Sequence, residues 1–390
     1  MIYKMTILSL LILIVDIGCS YNNRVTTNRY HSTQKEVDDL FHQGVVMASR
    51  GKYDAAAEYF DKVIEMNPQF AQAYVNKGLT MVNKGEIDQA IFQYNKALEI
   101  NPLIPEAYVN RGNARADKGE YKLAIDDYNT AIKINPRLAV AYYSRGLSRF
   151  EKGEFELAVA DYDEVLKIEP NNVKVLVNRG VAWMKKDDFG RAMADFNRAI
   201  EIDSRLVEGY LNRGLLLMHK DQVLLAIKDY TTTLSIDPHT IKAYIYRGLA
   251  LSTIGKYDDA IADYNSALHI NSADALVYIY RGDAWAETGN FGQAIADYDT
   301  ALKLDPVDSI AYNNRGYTYY EMGDFDSAIS DFDKALSIEP NFAEAYYNRG
   351  NAWIKKGDPN SAFVDIKMAL QLNPNSERYQ DKFRELVQNH

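Results

Sequence analysis

At 390 residues the chain has the length of about two or three ordinary domains. Hydrophobic residues make up 47% and charged residues 25%, which excludes both a disordered chain and a polytopic membrane protein. A formal charge of −10 argues against the broad basic field of a nucleic-acid binder, and a single cysteine excludes an internal disulfide and a cysteine-built zinc site. The chain opens with Lys4 and an apolar run from Met5 to Val15, followed by Asp16-Ile17-Gly18-Cys19-Ser20. That run is too short to span a bilayer, which takes about 20 residues, but it suits a secretory signal.

With a small residue, Gly18, directly before Cys19, the segment resembles a bacterial lipoprotein signal. Asp16 departs from the apolar residue usual at its place in that motif. The resemblance implies cleavage after residue 18, lipidation (palmitate) of Cys19 and export to the cell envelope. Ser20 in place of Asp after the cysteine points by the same resemblance to the outer membrane facing the periplasm, with surface display as the alternative. A signal cleaved elsewhere is the other reading of the segment. Residues 20–36 are polar and show no periodic apolar face, so 19–36 reads as the anchor cysteine and a tether.

From Val37 to Ser376 the sequence repeats every 34 residues, ten times, without insertion or deletion. Eighteen of the 22 glycines fall at positions 8 and 15 of the unit and eight of the 10 prolines at position 32. The apolar positions of a unit such as 105–138 read as two helices, broken at Lys118-Gly119 and at Asn135-Pro136. Gly112 and Ala124 lie where the helices meet, and their small side chains allow close approach. One such pair buries little alone, so neighbours must stack and the array replaces separate domains. The pattern resembles the tetratricopeptide repeat, carried by Gly at position 8, Ala at 20, an aromatic at 24 in nine units and Pro at 32. Ser204 and Ser272 replace the proline, Asp187 and Asp221 the turn glycine, and Ile366 the aromatic. The fold class this implies is all-α, a right-handed α-solenoid superhelix of antiparallel helix pairs. Residues 377–390 continue as a charged helix with Tyr379, Phe383, Leu386 and Val387 on one stripe, a terminal cap.

Two constellations recur within the array. Position 7 holds Arg111, Arg145, Arg179, Arg213, Arg247, Arg281, Arg315 and Arg349, and position 23 holds Asp127, Asp161, Asp195, Asp229, Asp263, Asp297, Asp331 and Asp365. Where the arginine is missing the acid is missing too, since Lys77 goes with Gln93 and Gln43 with Tyr59. The matching predicts contact within or between units, a structural ladder of bidentate Arg–carboxylate pairs. The second constellation lies on the concave surface, which the resemblance assigns to positions 2, 5, 6, 9, 12 and 13 of the first helix. Position 6 supplies Asn76, Asn110, Asn178, Asn212, Asn314 and Asn348, interrupted by Tyr246 and Tyr280. Amides can pair with a peptide backbone whatever its side chains, similar to the asparagine ladder of the O-linked N-acetylglucosamine transferase superhelix. They can equally bond locally or to water. The middle of the groove offers Val177, Val181, Leu211, Leu215, Ile245, Leu249 and Ile279 beside Lys174, Lys185 and Lys242, an apolar strip for a partner unless packing between helices covers it. Earlier units offer Asp38, Glu106, Asp117 and Glu151, and late units Asp283, Glu287, Glu321 and Glu344. A chaperone-type carboxylate clamp matches at Asn212 and Lys242 but not at Val177, Val181 and Tyr246.

The six histidines form no metal-ligand spacing, the glycines follow the repeat rather than a phosphate loop, and no carboxylate pair stands out as acid and base. The expectation is a non-enzymatic scaffold without metal, cofactor, nucleic acid or small-molecule substrate. It would bind an extended segment of an envelope protein in the groove, with lysines steering an acidic segment. The alternative is an accessory subunit that docks or regulates an envelope enzyme, a glycan synthase or hydrolase.

Overall fold

A computed structural model describes residues 27–388, so the expected signal segment 1–18 and the expected anchor residue Cys19 lie outside the described residues. The chain divides into two compact units, Met1–Asn212 and Arg213–His390. The first contains α1 (Thr27–Ser49), α2 (Tyr53–Met66), α3 (Ala71–Asn83), α4 (Ile87–Ile100), α5 (Pro105–Asp117), α6 (Tyr121–Ile134), α7 (Ala139–Glu151), α8 (Phe155–Ile168), α9 (Val173–Lys185) and α10 (Phe189–Ile202), and the boundary falls inside α11 (Val207–His219). The second continues with α12 (Val223–Ile236), α13 (Ile241–Thr253), α14 (Tyr257–Ile270), α15 (Ala275–Glu287), α16 (Phe291–Leu304), α17 (Ser309–Glu321), α18 (Phe325–Ile338), α19 (Ala343–Lys356), α20 (Pro359–Leu372) and α21 (Glu377–Gln388). No strand occurs among the described residues, and none of their helices is long and apolar enough to cross a membrane.

Within each unit, the first helix of a repeat packs along the second, as α5 on α6 or α15 on α16, and the second packs on the first helix of the next repeat, as α6 on α7 or α16 on α17. The glycine at position 8 sets the distance within the pair. A Cβ at Gly112 would lie 2.6 Å from the Tyr128 ring, and one at Gly282 would lie 2.8 Å from Tyr298. Glycine inside a helix costs about 1 kcal/mol relative to alanine. Burying the ring offsets that by about 1.5–3 kcal/mol.

Position 15 ends each first helix. Gly85 sits at φ +80° and the next N–H, that of Glu86, donates to the Met81 carbonyl at 2.9 Å, a Schellman closure repeated at the other turns. Asp187 and Asp221 hold the same left-handed conformation, at φ 58° and 57°, with a Cβ that disfavours it. After the second helix, the Asn135 side chain accepts the Arg137 N–H at 3.1 Å across the proline turn.

The two ends of the array differ from the expectation in one respect. α1 starts at Thr27, ten residues before the first repeat position, so Thr27–Glu36 is helix rather than tether. No glycine or proline interrupts the stretch before Gly44, and the Gln34 amide donates to Asp38 one turn on. At the other end α21 buries Tyr379 and Leu386, with Tyr379 stacked on Tyr347 at 4.9 Å between ring centroids and Phe383 against Phe363 at 5.3 Å.

Candidate functional site

The arginine at position 7 is half-buried on the first helix of its repeat and faces the second. In all eight cases it contacts the aspartate sixteen residues on, Arg111 with Asp127 through Arg349 with Asp365, at 2.6 or 2.7 Å. Nε and Nη2 donate to separate carboxylate oxygens, as in Arg281–Asp297 at 2.8 and 2.6 Å. The remaining nitrogen, Nη1, reaches back sixteen residues to the preceding repeat: Arg111 to Asn95, Arg179 to Asp163, Arg281 to Asn265, Arg315 to Asp299. Lys77 makes the backward contact alone, to Asp61. Tyrosines three residues earlier cover several of the guanidiniums, Tyr278 over Arg281 at 5.4 Å among them. Burial pushes Asp161 above the usual carboxylate range, against the opposite pull of Arg145 and Arg149. With both partners occupied by helices of the array, the ladder fixes helix spacing and offers little to a ligand.

The amide series at position 6 is mostly internal. Asn178 and Asn212 are fully buried, and Asn110 and Asn348 nearly so, whereas Asn76 and Asn314 are partly exposed. Asn76 and Asn212 donate to carbonyls of their own helix, Gln72 at 2.9 Å and Glu208 at 2.8 Å, and Asn178 donates to the Tyr143 hydroxyl at 3.1 Å. A row of free amides along the array is therefore not what these residues make. The apolar strip is also corrected. Val177, Val181, Leu211 and Ile279 are buried, and Leu215, Ile245 and Leu249 only partly exposed, because positions 5 and 9 turn into the packing. Tyr246 and Tyr280 are partly exposed and lean on the ring at position 24 of a helix partner, Tyr230 at 5.9 Å and Tyr264 at 6.1 Å. Lys185 is exposed, and Lys174 and Lys242 are partly exposed.

What the second unit does form is a polar cleft of about 560 Å³ between α15, α17, α19 and α21. Its walls come from positions 2, 6, 9, 12 and 13 of the first helices: Asp283, Ala286 and Glu287 on α15, Asn314, Tyr317 and Glu321 on α17, Glu344 and Asn348 on α19. Asn313 and Thr318 of α17, Phe291 and Tyr298 of α16 and Arg378 of α21 complete it. One hydrogen-bonded chain runs along the floor. Asn348 Nδ2 donates to Asn313 Oδ1 at 3.1 Å, Asn313 Nδ2 to Asn314 Oδ1 at 3.2 Å, and Asn314 Nδ2 to Asp283 Oδ1 at 2.9 Å. Tyr298 donates to the same Asp283 oxygen at 2.7 Å, and burial pushes this carboxyl above the usual range while the two bonds pull it down. The last oxygen of the chain, Asn348 Oδ1, is buried with no hydrogen-bond partner among the described residues. Glu287, Glu321 and Glu344 stand exposed around the mouth, and Arg378 reaches only Glu344, at 3.9 Å.

Sequence reasoning named the four acids of this cleft and two of its amides but not Asn313, Tyr317 or Arg378. A signal was present, since Asn313 breaks the run Val177, Leu211, Ile245, Ile279 at position 5, and Asp283 breaks Val181, Leu215, Leu249 at position 9.

Tetratricopeptide-repeat models match residues 41–70, 59–92, 139–172, 173–205, 241–274 and 343–376, and a further TPR-repeat model matches 81–117, 112–153, 282–323 and 316–357. The chain is a tetratricopeptide repeat protein. Among solved structures, a tetratricopeptide repeat protein from Parabacteroides merdae is similar with a TM-score of 0.53 at 21% identity, over 64% of this chain and 98% of that one. PilW, a widely conserved type IV pilus biogenesis factor, is similar with a TM-score of 0.50 at 20% identity, over 54% of this chain and 97% of the other. No curated protein matches the chain in sequence. For a tetratricopeptide repeat protein the fold implies binding of other proteins, and the first helices of the last three repeats form an open polar cleft.

Proposed function

We propose that this tetratricopeptide repeat protein is a non-enzymatic scaffold of a bacterial cell envelope, tethered by lipid on Cys19, that holds an extended segment of a partner protein against the first helices of its late repeats. The observation that carries the reading is the cleft itself. In the middle repeats apolar packing and amides bonded within the array fill most groove positions, whereas Asp283, Asn314, Tyr317 and Glu321 line an open cleft. A row of amide and carboxylate groups at helical spacing can satisfy a peptide backbone without any chemistry on it. The exported location rests on the Lys4 to Cys19 segment alone.

Photo-crosslinking tests the scaffold reading. A photoreactive phenylalanine at Tyr317, which is 44% exposed, is expected to capture a discrete partner polypeptide in cells, and the same group at Leu224 on α12, which is 72% exposed, is expected to capture none. Capture from Leu224 alone would move the binding surface to the second helices and end the proposal for the cleft.

A further inference from the structure

Three acids of the cleft lack a counter-ion. Asp283 takes both of its hydrogen bonds on Oδ1, so Oδ2 accepts none among the described residues. Glu287 and Glu321 enter no ion pair there, although lysines elsewhere on the protein pair readily, as Lys118 does with Asp88 and Lys382 with Glu385. The buried, unpartnered Asn348 Oδ1 belongs to a residue of the same wall and adds an acceptor without a donor. Leaving such an oxygen unpaired costs about 1–3 kcal/mol unless a donor arrives. Tyr317, 44% exposed and stacked on Tyr320, contributes an aromatic ring beside Glu321. Arg378, over the Tyr347 ring at 4.1 Å, closes the α21 side.

Acceptors, carboxylates and an aromatic face together suit a cation that carries several donors, and no cluster able to hold a metal ion is found among the described residues. We propose that the cleft of α15, α17, α19 and α21 docks a basic extended segment of the partner protein, seating a lysine or arginine side chain between Asp283, Glu287 and Glu321 with the backbone along Asn314 and Asn348. This deepens the scaffold reading and rests on it. It also reverses the sign expected from the lysines of the middle repeats, because those lysines border buried side chains while the acids border open space. The cleft volume of about 560 Å³ is of the size that holds one or two side chains with their backbone.

Fluorescence anisotropy of the full chain in mild detergent, with a labelled nonapeptide of alternating lysine and alanine as the probe, tests the site. The lysine peptide is expected to bind and its glutamate counterpart not. Binding should weaken by about tenfold or more in Glu287→Gln/Glu321→Gln, both exposed and tolerant of change. The same peptide should keep its affinity within about twofold for Asp258→Asn/Asp259→Asn, two exposed acids on α14 that control for the net charge. Equal loss in the control variant, equal binding of the glutamate peptide, or no binding of the lysine peptide each overturns the proposal. If the lysine peptide fails while crosslinks still form at Tyr317, the cleft binds a partner of other chemistry and the scaffold reading stands. Crosslinks from Leu224 alone end both.

Discussion

Arg281 sits between two carboxyl or amide partners sixteen residues away in each direction, Asp297 and Asn265. Replacing it with leucine leaves the Asp297 carboxylate, 9% exposed, without its cation. Removing one side of such a pair costs about 3–5 kcal/mol when it is buried, and the partial exposure of Arg281 brings the expectation to about 2–3 kcal/mol. Arg281→Leu is therefore expected to lower the thermal midpoint followed by circular dichroism, and Arg281→Leu/Asp297→Leu to recover much of the loss. A single variant as stable as the parent would show the ladder to be idle. The opposite sign is expected at Asp187 and Asp221, which hold a left-handed turn that eight glycines hold elsewhere. Asp187→Gly should raise stability by about 1 kcal/mol, measured by urea unfolding, with no change in its neighbours. At this scale the sequence was legible where residues vary together. The forward Arg–Asp contact shows because Lys77 and Gln43 lose both members. The backward contact did not show, because its acceptor changes freely between Asn95, Asp163 and Thr231 and any acceptor serves a single N–H. Burial of Val177 and Asn178 was hidden for a related reason, since a helix position that faces a neighbouring helix and one that faces a groove carry the same apolar or amide residues.

Helices, unlike the site, were legible nearly to the residue. Proline at position 32 and glycine at position 15 act on the backbone directly, so the boundaries of α5 and α6 follow from Gly119 and Pro136 without tertiary context. The exception is α1, where nothing polar or conformational separates Thr27 from the repeat and helix propagates backwards. Two elements invite perturbation. Gly282→Ala would place a methyl group 2.8 Å from the Tyr298 ring and force α15 from α16. The expected cost is about 1–3 kcal/mol, and because Tyr298 holds Asp283, binding of the lysine peptide should fall more than it does for Gly112→Ala, whose ring partner Tyr128 is not part of the cleft. A chain ended after Ser376 removes α21 and exposes Tyr347 and Ile366, which are buried at 9% and 0%. That truncation should unfold at lower temperature and bind a hydrophobic dye, and it also strips Arg378 from the cleft.

At the scale of the molecule, composition suggested separate domains and the repeat replaced them with one kind of part used ten times. The proposed anchor belongs to this scale as well. Growth with labelled palmitate is expected to mark the wild-type chain and not Cys19→Ala, and an unlabelled wild type would remove the anchor from the proposal. The ladder also bears on how such a chain changes over generations. Because seven of the ladder arginines are seen to reach sixteen residues either way, loss of a whole repeat keeps the clamps in phase. Excising residues 139–172 would bring Asn129 opposite Arg179 in the place of Asp163, and Asn129 already receives Arg145 in this manner. Copy number can drift by in-frame recombination with little injury to the joints, while Asp283, the one acid at position 9 of any repeat, would travel unaltered with its own segment.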